Sequence, residues 1–337
     1  MKILISSHAF APSIGGIETV SALLAQEFVR LGHEVTVLTQ TPAGDGMEYP
    51  FPILRRPALG RLLRALRWCD VYWQNNLSLR TLWPALFFRR PVVITHQGSY
   101  CRQPAGFDFV QRLKHFVIRR ASSVAISKAV AGCFAMPSRV IPNPFDARLF
   151  HSESPTDDRP NELLFVGRLV AEKGLDVLLD ALQQLQAKGL FPSLTIVGAG
   201  PELAPAQEKV RQLNLNEQVT FAGAKQGTDL VTTLRAHKIL VVPSRYEEPF
   251  GVVALEGIAA GCAVIGSRGG GLPEAIGPCG LTFPNGDATA LATQIAQLLR
   301  EPNERAHLLE GAVEHLARFH PEVVAGEYLA LFEEQLR

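Results

Sequence analysis

No stretch of the 337-residue chain holds the ~18 consecutive apolar residues that would carry a helix across a bilayer. The opening Met1-Lys2-Ile3-Leu4-Ile5-Ser6-Ser7-His8 has too short an apolar run for a secretory leader. Cysteine is scarce: Cys69, Cys101, Cys133, Cys262 and Cys279 are odd in number and far apart, and no two form Cys-x-x-Cys. That argues against a disulfide framework or a zinc site and points to a reducing, cytoplasmic setting. There is no Asp-x-Asp and no low-complexity tract, so no metal is expected from paired acids and no long disordered segment from composition.

What is present fits a folded protein of two domains. At 47% hydrophobic and 19% charged residues the balance is that of a globular chain. Its length exceeds the roughly 250 to 300 residues at which single cores stop growing. The net charge of +1 conceals an asymmetry, because residues 55–120 carry twelve arginines and one lysine against only Asp70 and Asp108. A field of one sign on that scale steers anionic partners or holds a surface against anionic lipid, although many such charges are simply solvated helix ends.

Apolar β-branched runs alternate with helical patterns, the sequence form of parallel sheets with crossover helices. One series places strands at residues 2–7, 35–38, 71–73, 92–95 and 124–126, with an amphipathic helix over 17–31 closed by Gly32. A second places them at 163–166, 194–197, 219–221, 239–242 and 263–265, with helices over 288–299, 301–316 and 321–336. Between the series lie Ile141-Pro142-Asn143-Pro144 and the polar run 152–160, where a hinge is expected.

In open parallel sheets ligands bind outside the carboxyl ends of the strands, so the loops there are the place to look for chemistry. The first, Ala11-Pro12-Ser13-Ile14-Gly15-Gly16, runs into a helix whose N–H groups favour a phosphate, though a plain strand-to-helix turn also explains the paired glycines. In the second half, Gly167-Arg168-Leu169-Val170-Ala171-Glu172-Lys173-Gly174 puts two cations around a strand end, suited to clamp a diphosphate. A lysine at a helix start opposes the helix dipole and so needs another reason to stand there. The stretch Ser244-Arg245-Tyr246-Glu247-Glu248-Pro249-Phe250-Gly251-Val252-Val253-Ala254-Leu255-Glu256 holds two carboxylates eight positions apart around a helix start near Gly251. Carboxylates accept hydrogen bonds from hydroxyls, and Glu256, set in an apolar sequence, is an acid in need of partners.

The run from Gly251 through Ala260-Gly261-Cys262-Ala263-Val264-Ile265 to Gly269-Gly270-Gly271-Leu272-Pro273-Glu274 resembles the retaining glycosyltransferases of the GT-B fold, group 1, often called family four. So do Gly15-Gly16-Ile17-Glu18, the Gly167–Gly174 segment and Val197-Gly198-Ala199-Gly200-Pro201, in the family's order and over nearly the whole chain. The resemblance implies an α/β protein of two Rossmann-like parallel-sheet domains facing across a cleft. Residues 1–155 with the returning helix 321–337 would form the acceptor domain, and 156–320 the nucleotide-sugar donor domain.

It also implies roles. Arg168 and Lys173 would hold the donor diphosphate, reached from the other domain by the N–H groups of Gly15 and Gly16. Glu256 would bind ribose hydroxyls, Glu248 the donor sugar, and Phe250, Gly251 and Val252 would line the donor site. His96 matches a family histidine near the reacting sugar, although taken alone a histidine at a strand end is more often structural. The partners implied are a UDP-sugar or other nucleotide-sugar donor and a glycan or lipid-linked acceptor, with no nucleic acid, no cofactor and no metal. A GT-B epimerase or a silent nucleotide-sugar binder is the alternative. An NAD-type fold is disfavoured because Leu203 stands where the third glycine of Gly-x-Gly-x-x-Gly belongs.

Three departures bear on the acceptor side: a short first half, Gly257 where alanine is usual, and Asn143-Pro144 in place of Asn-Gly. Arg61, Arg64 and Arg67 among Leu62, Leu63 and Leu66, and the stretch from Phe109 to Phe116, read as a basic amphipathic surface for a peripheral membrane contact. The same spacing describes core-facing helices.

Overall fold

Two runs of buried aliphatic strands seed two parallel sheets, one in each half of the chain. The computed structural model describes residues 1–13, 15–44, 48–98, 121–133, 137–151 and 159–337. In the first half β1 (Lys2–Ser6), β2 (Glu34–Thr39), β3 (Ile53–Arg55), β4 (Val71–Asn75), β5 (Val92–His96), β6 (Ser122–Ala125) and β7 (Arg139–Val140) form a seven-stranded sheet in the order β3-β2-β1-β4-β5-β6-β7. The second half repeats the plan with β8 (Asn161–Val166), β9 (Leu194–Val197), β10 (Val219–Phe221), β11 (His237–Val242), β12 (Ala263–Ser267) and β13 (Gly280–Phe283), ordered β10-β9-β8-β11-β12-β13. Each sheet reverses direction at its first strand, which leaves a crevice at the carboxyl ends of β1 and β4, and of β8 and β11. The central strands are buried on both faces, as crossover helices require: Ile3, Leu4 and Ile5 in β1, and Leu163 and Leu164 in β8, expose no surface.

The strand expectations hold except at the sheet margins. β3, β7 and β13 were not foreseen, since β3 is three half-buried residues, β7 two exposed ones, and β13 opens on a glycine. The helix expected over 301–316 is two helices, Pro302–Leu309 and Ala312–Ala317, interrupted at Glu310 and Gly311. The last helix, Pro321–Leu336, is as expected.

Two compact units result, Met1–Pro144 with Phe319–Arg337, and Phe145–Arg318. The boundary falls after Pro144 rather than at residue 155. The segment that follows is tied to the second unit, where Arg235 Nε donates to the His151 carbonyl at 2.8 Å. The polar run expected to be the linker lies, for residues 152–158, outside the described residues.

The returning helix is built into the first unit by aromatic packing. Tyr328 and Phe332 meet Trp73 on β4 at centroid distances of 4.8 and 6.4 Å, and Phe332 meets Phe28 of the helix Gly16–Arg30 at 5.8 Å. The polar ends of these rings are satisfied internally: Trp73 Nε1 donates to Thr95 Oγ1 at 2.9 Å, and the Tyr328 hydroxyl lies 2.8 Å from the same oxygen. Ion pairs Arg30 to Glu322 at 3.0 Å and Arg139 to Glu334 at 3.0 Å fasten the exposed flanks.

Among the cysteines, Cys69, Cys262 and Cys279 are free and buried, but Cys133 is held in a disulfide. The spacing argued against a disulfide framework and for a reducing setting; the bond at Cys133 departs from a fully reduced set, because distance in sequence does not set distance in space. In the second unit a Cβ at Gly257 would meet the end of the Leu240 side chain of β11, so the helix Val252–Ala259 runs close to that strand there.

Candidate active site

The loops at the carboxyl ends of β8 and β11 bring together the charged residues that the sequence pointed to. After β8 the chain turns through Arg168 into a short 3-10 turn, Ala171–Lys173, and then through Gly174 into the helix Leu175–Gln186. Gly174 is left-handed (φ 67°), and a Cβ there would run into the Pro243 carbonyl that ends the neighbouring strand loop. This close approach aims Lys173 across the crevice. Its Nζ forms a short ion pair with Glu248 Oε1, lies 3.4 Å from the Tyr246 hydroxyl and sits 5.5 Å from the centroid of the Tyr246 ring. Arg168 is exposed and within electrostatic reach of Tyr246, as is Glu172. Burial first, and the Glu248 charge second, hold the Tyr246 phenol well above its usual range, so it stays protonated as a hydrogen-bond donor.

Glu248 itself is buried, at 4% exposure, and its second oxygen, Oε2, has no hydrogen-bond partner among the described residues. A buried carboxylate with one oxygen paired and the other unused retains accepting capacity. Its backbone is pinned from the far side, where the Gly271 N–H donates to the Glu248 carbonyl at 2.7 Å and Glu248 bridges to Gly270. Asn285 completes the frame, accepting from the Gly269 N–H at 2.8 Å and donating to the Tyr246 carbonyl at 2.9 Å. Arg245 locks the loop onto the helix Leu175–Gln186 through both oxygens of Asp176, and its own N–H donates to the Glu172 carbonyl at 2.8 Å.

Beyond Glu248 the chain passes through buried Phe250 and left-handed Gly251 (φ 104°) into the helix Val252–Ala259. The first turn of this helix presents the N–H groups of Val252 and its neighbours at the crevice, and Glu256 follows one turn later. Protein surrounds the Glu256 carboxyl although part of its surface stays open; burial, with a further push from Asp146, raises its pKa to about 7. The folded chain therefore holds a proton there between about pH 4.5 and 7 that the unfolded chain releases. Stability should fall as pH rises through that window. Glu256→Gln, which cannot ionise, should flatten the dependence and stand about 1 to 3 kcal/mol more stable than the parent at pH 8, with no gain at pH 4. Urea unfolding of both proteins across this range checks the sign; a parent that gains stability from pH 5 to 7 would contradict it.

The first unit carries the remaining expected residues. Gly15, extended at φ 175°, precedes the helix Gly16–Arg30, whose first turn holds Glu18 with its carboxylate against the Gly15 Cα. The preceding Ile14 lies outside the described residues. His96 ends β5 with no exposed surface, its Nε2 3.4 Å from the Ser123 hydroxyl, and burial pushes its pKa down to about 4. It is a neutral imidazole at physiological pH.

Beside it runs a buried polar chain that the sequence reading missed. The Ser21 hydroxyl donates to the Ile17 carbonyl at 2.8 Å, lies 2.9 Å from the Ser7 hydroxyl and accepts from Asn75 Nδ2 at 2.6 Å. Gln97 Nε2 then donates to Asn75 Oδ1 at 2.6 Å, and Gln97 and Asn143 exchange amide hydrogen bonds at 2.8 and 3.1 Å. These side chains link the carboxyl ends of β1, β4 and β5 to Asn143, next to the end of the unit's first segment.

Comparison with known proteins follows the same division. Residues 146–315 match the family model described as glycosyl transferases group 1, and residues 14–149 match that of glycosyltransferase family 4. The chain belongs to the glycosyl transferases group 1. This glycosyltransferase is 37% identical to a glycogen synthase of Mycobacterium tuberculosis, over 90% of its own length and 87% of the relative's. It is 33% identical to a D-inositol 3-phosphate glycosyltransferase of Corynebacterium efficiens, over 50% of its own length and 42% of that protein's. Among solved structures it resembles Anabaena HepE in complex with UDP and glucose (TM-score 0.81, 21% identity, 99% of each chain covered). A glycosyltransferase of Rickettsia africae also shares the fold (TM-score 0.80, 18% identity, 100% and 98% covered). The chain thus has two Rossmann-like parallel-sheet domains of the GT-B type, as these structures do.

Proposed function

We propose that this glycosyltransferase moves a sugar from a UDP-sugar, or another nucleoside-diphosphate sugar, to a hydroxyl acceptor with retention of anomeric configuration and without a metal. The observation that carries the reading is the pairing of Lys173 with Glu248 at the switch point of the second sheet, where a cation faces the crevice beside a buried carboxylate with an unused oxygen. A sugar hydroxyl supplies the hydrogen bond that Glu248 Oε2 lacks. Lys173 and the exposed Arg168 meet the diphosphate, and the N–H groups at the start of the helix Val252–Ala259 favour the same charge.

The chemistry is departure of a nucleoside diphosphate from an anomeric carbon through an oxocarbenium-like state. Cations placed where negative charge grows are the strongest lever on that step, and Arg168 and Lys173 supply them. Tyr246 accepts from the Lys173 ammonium and, kept protonated, still has its own O–H to donate. The acceptor hydroxyl attacks on the face the diphosphate leaves, and the departing phosphate oxygen takes its proton. Glu256 accepts from the ribose hydroxyls as a carboxylate, so donor binding releases a proton near pH 7. The neutral His96 serves as a hydrogen-bonding group rather than a charge.

The test is nucleotide release from UDP-, GDP- and ADP-sugars, comparing the parent with Glu256→Ala. Slow release from one donor, lost in the variant, identifies the donor and supports the site. Absence of both release and binding for every nucleotide sugar would overturn the reading, and binding without turnover, with or without acceptors, would leave a silent binder.

A further inference from the structure

We propose that the first unit docks onto an anionic lipid surface through an aromatic pair, Trp83 and Phe87, set among arginines. Both rings stand out from a 3-10 segment, Trp83–Phe87, at 46% and 79% exposure, and they meet edge to face with centroids 6.2 Å apart. Scattered single apolar side chains on a surface are ordinary, but an adjoining aromatic pair with this much exposure is a contact feature. Arginines flank it along the chain: Arg80 precedes the pair in the helix Leu79–Leu82, and Arg89 and Arg90 follow it, all exposed.

The helix Leu59–Trp68 packs through Leu62, Ala65 and Leu66 into the same core as Leu82 and Ala85, which brings Arg61, Arg64 and Arg67 alongside. The two elements touch at their charged rims, where Arg90 donates to the Arg67 carbonyl at 3.2 Å and the Arg67 guanidinium lies 5.8 Å from the Phe88 ring. All six arginines are exposed, and none pairs with a carboxylate among the described residues. Residues 53–98 contain a single acid, Asp70, and one of its oxygens already accepts from the Lys2 N–H at 2.8 Å.

Guanidinium groups clustered without facing acids favour phosphates, and aromatic rings at the headgroup level of a bilayer are favourable. The edge-to-face geometry, with an interplanar angle of 87°, distinguishes lipid from nucleic acid, because rings set at right angles offer no parallel platform for successive bases. No helix among the described residues is long and apolar enough to cross a membrane, so the contact is peripheral. The other half of the basic region expected from sequence, Phe109 to Phe116, lies outside the described residues. The proposal stands apart from the donor chemistry.

The experiment is sedimentation of the full chain with vesicles of phosphatidylcholine alone or with about a third phosphatidylglycerol, read together with tryptophan emission. Trp73 is fully buried and Trp68 half-buried, so Trp83 is the reporter. Binding to the anionic vesicles with a blue shift, the shift lost but binding largely kept in Trp83→Phe, is the expected result. Arg89→Glu with Arg90→Glu should lower partitioning more than about tenfold, at about 1 kcal/mol per basic residue near the surface. Phe87→Ser should weaken it further without altering the melting temperature, since that ring is mostly in solvent. Absence of sedimentation at low salt overturns the proposal. So does sedimentation with no blue shift, or a blue shift produced equally by a short single-stranded oligonucleotide.

Discussion

Lys173→Ala should reduce turnover by about a hundredfold or more, the scale seen when one preorganised charge-stabilising donor is removed from an active site. The residue meets Glu248, the Tyr246 ring and the crevice at once, so its loss removes the cation nearest a departing diphosphate and strips the buried Glu248 of its counter-ion. The second effect alone leaves a buried carboxylate without its cation, which costs stability. Lys173→Arg separates the two, because it restores the charge to Glu248 while placing it on a longer, planar group. Recovery of stability in the arginine variant with only partial recovery of turnover is the expected pattern. Near-normal turnover in Lys173→Ala, measured as nucleotide release at saturating donor, would remove the diphosphate role from this residue.

Gly174→Ala should cost about 3 to 5 kcal/mol of stability, well beyond the roughly 1 kcal/mol of an ordinary helix-cap glycine. Its left-handed φ of 67° accounts for the smaller part. The larger part is the collision of a new Cβ with the Pro243 carbonyl, a backbone atom fixed by β11 and by the Arg245 N–H bond to Glu172. Gly189 is the matched control: it has the same left-handed sense at φ 76°, yet a Cβ there meets nothing within 4 Å. Gly189→Ala should therefore cost about 1 kcal/mol. Equal unfolding midpoints for the two alanine variants would show that the close approach between the β8 and β11 loops is slack, and with it the placement of Lys173.

The residues with charge to contribute were legible because their chemistry is local. Arg168 and Lys173 follow the end of β8, and Glu248 the end of β11, within seven positions, while Glu256 sits in the next helix; an apolar strand followed by a glycine and a cation, as at Gly167-Arg168, is readable in one dimension. The frame that aims them was not. Asp176 meets Arg245, and Asn285 meets Tyr246, only because the helix start after β8 and the loops after β11 and β13 converge. Nothing at position 285 in the sequence marks it as a partner of Tyr246. The buried chain through Ser21, Asn75, Gln97 and Asn143 left a fainter signal, polar Asn75 and Gln97 at the ends of otherwise apolar strands, which could have been taken as a sign of mutual satisfaction.

In the fold, central strands announce themselves by continuous apolar runs, whereas β3, β7 and β13 at or near the margins bury too little to leave a pattern. The split of the helix expected over 301–316 was marked by Gly311, but periodicity on both sides outweighed it.

The return of Pro321–Leu336 to the first unit sets an order on synthesis. The second unit is one uninterrupted stretch, Phe145–Arg318, and can close as soon as it clears the ribosome, whereas the first has Trp73 and Phe28 waiting for Tyr328 and Phe332. The half of the chain made first is thus the half finished last. Through most of translation its aromatic face stays open, and a nascent chain stalled before residue 321 would present that face to chaperones or to another copy of itself.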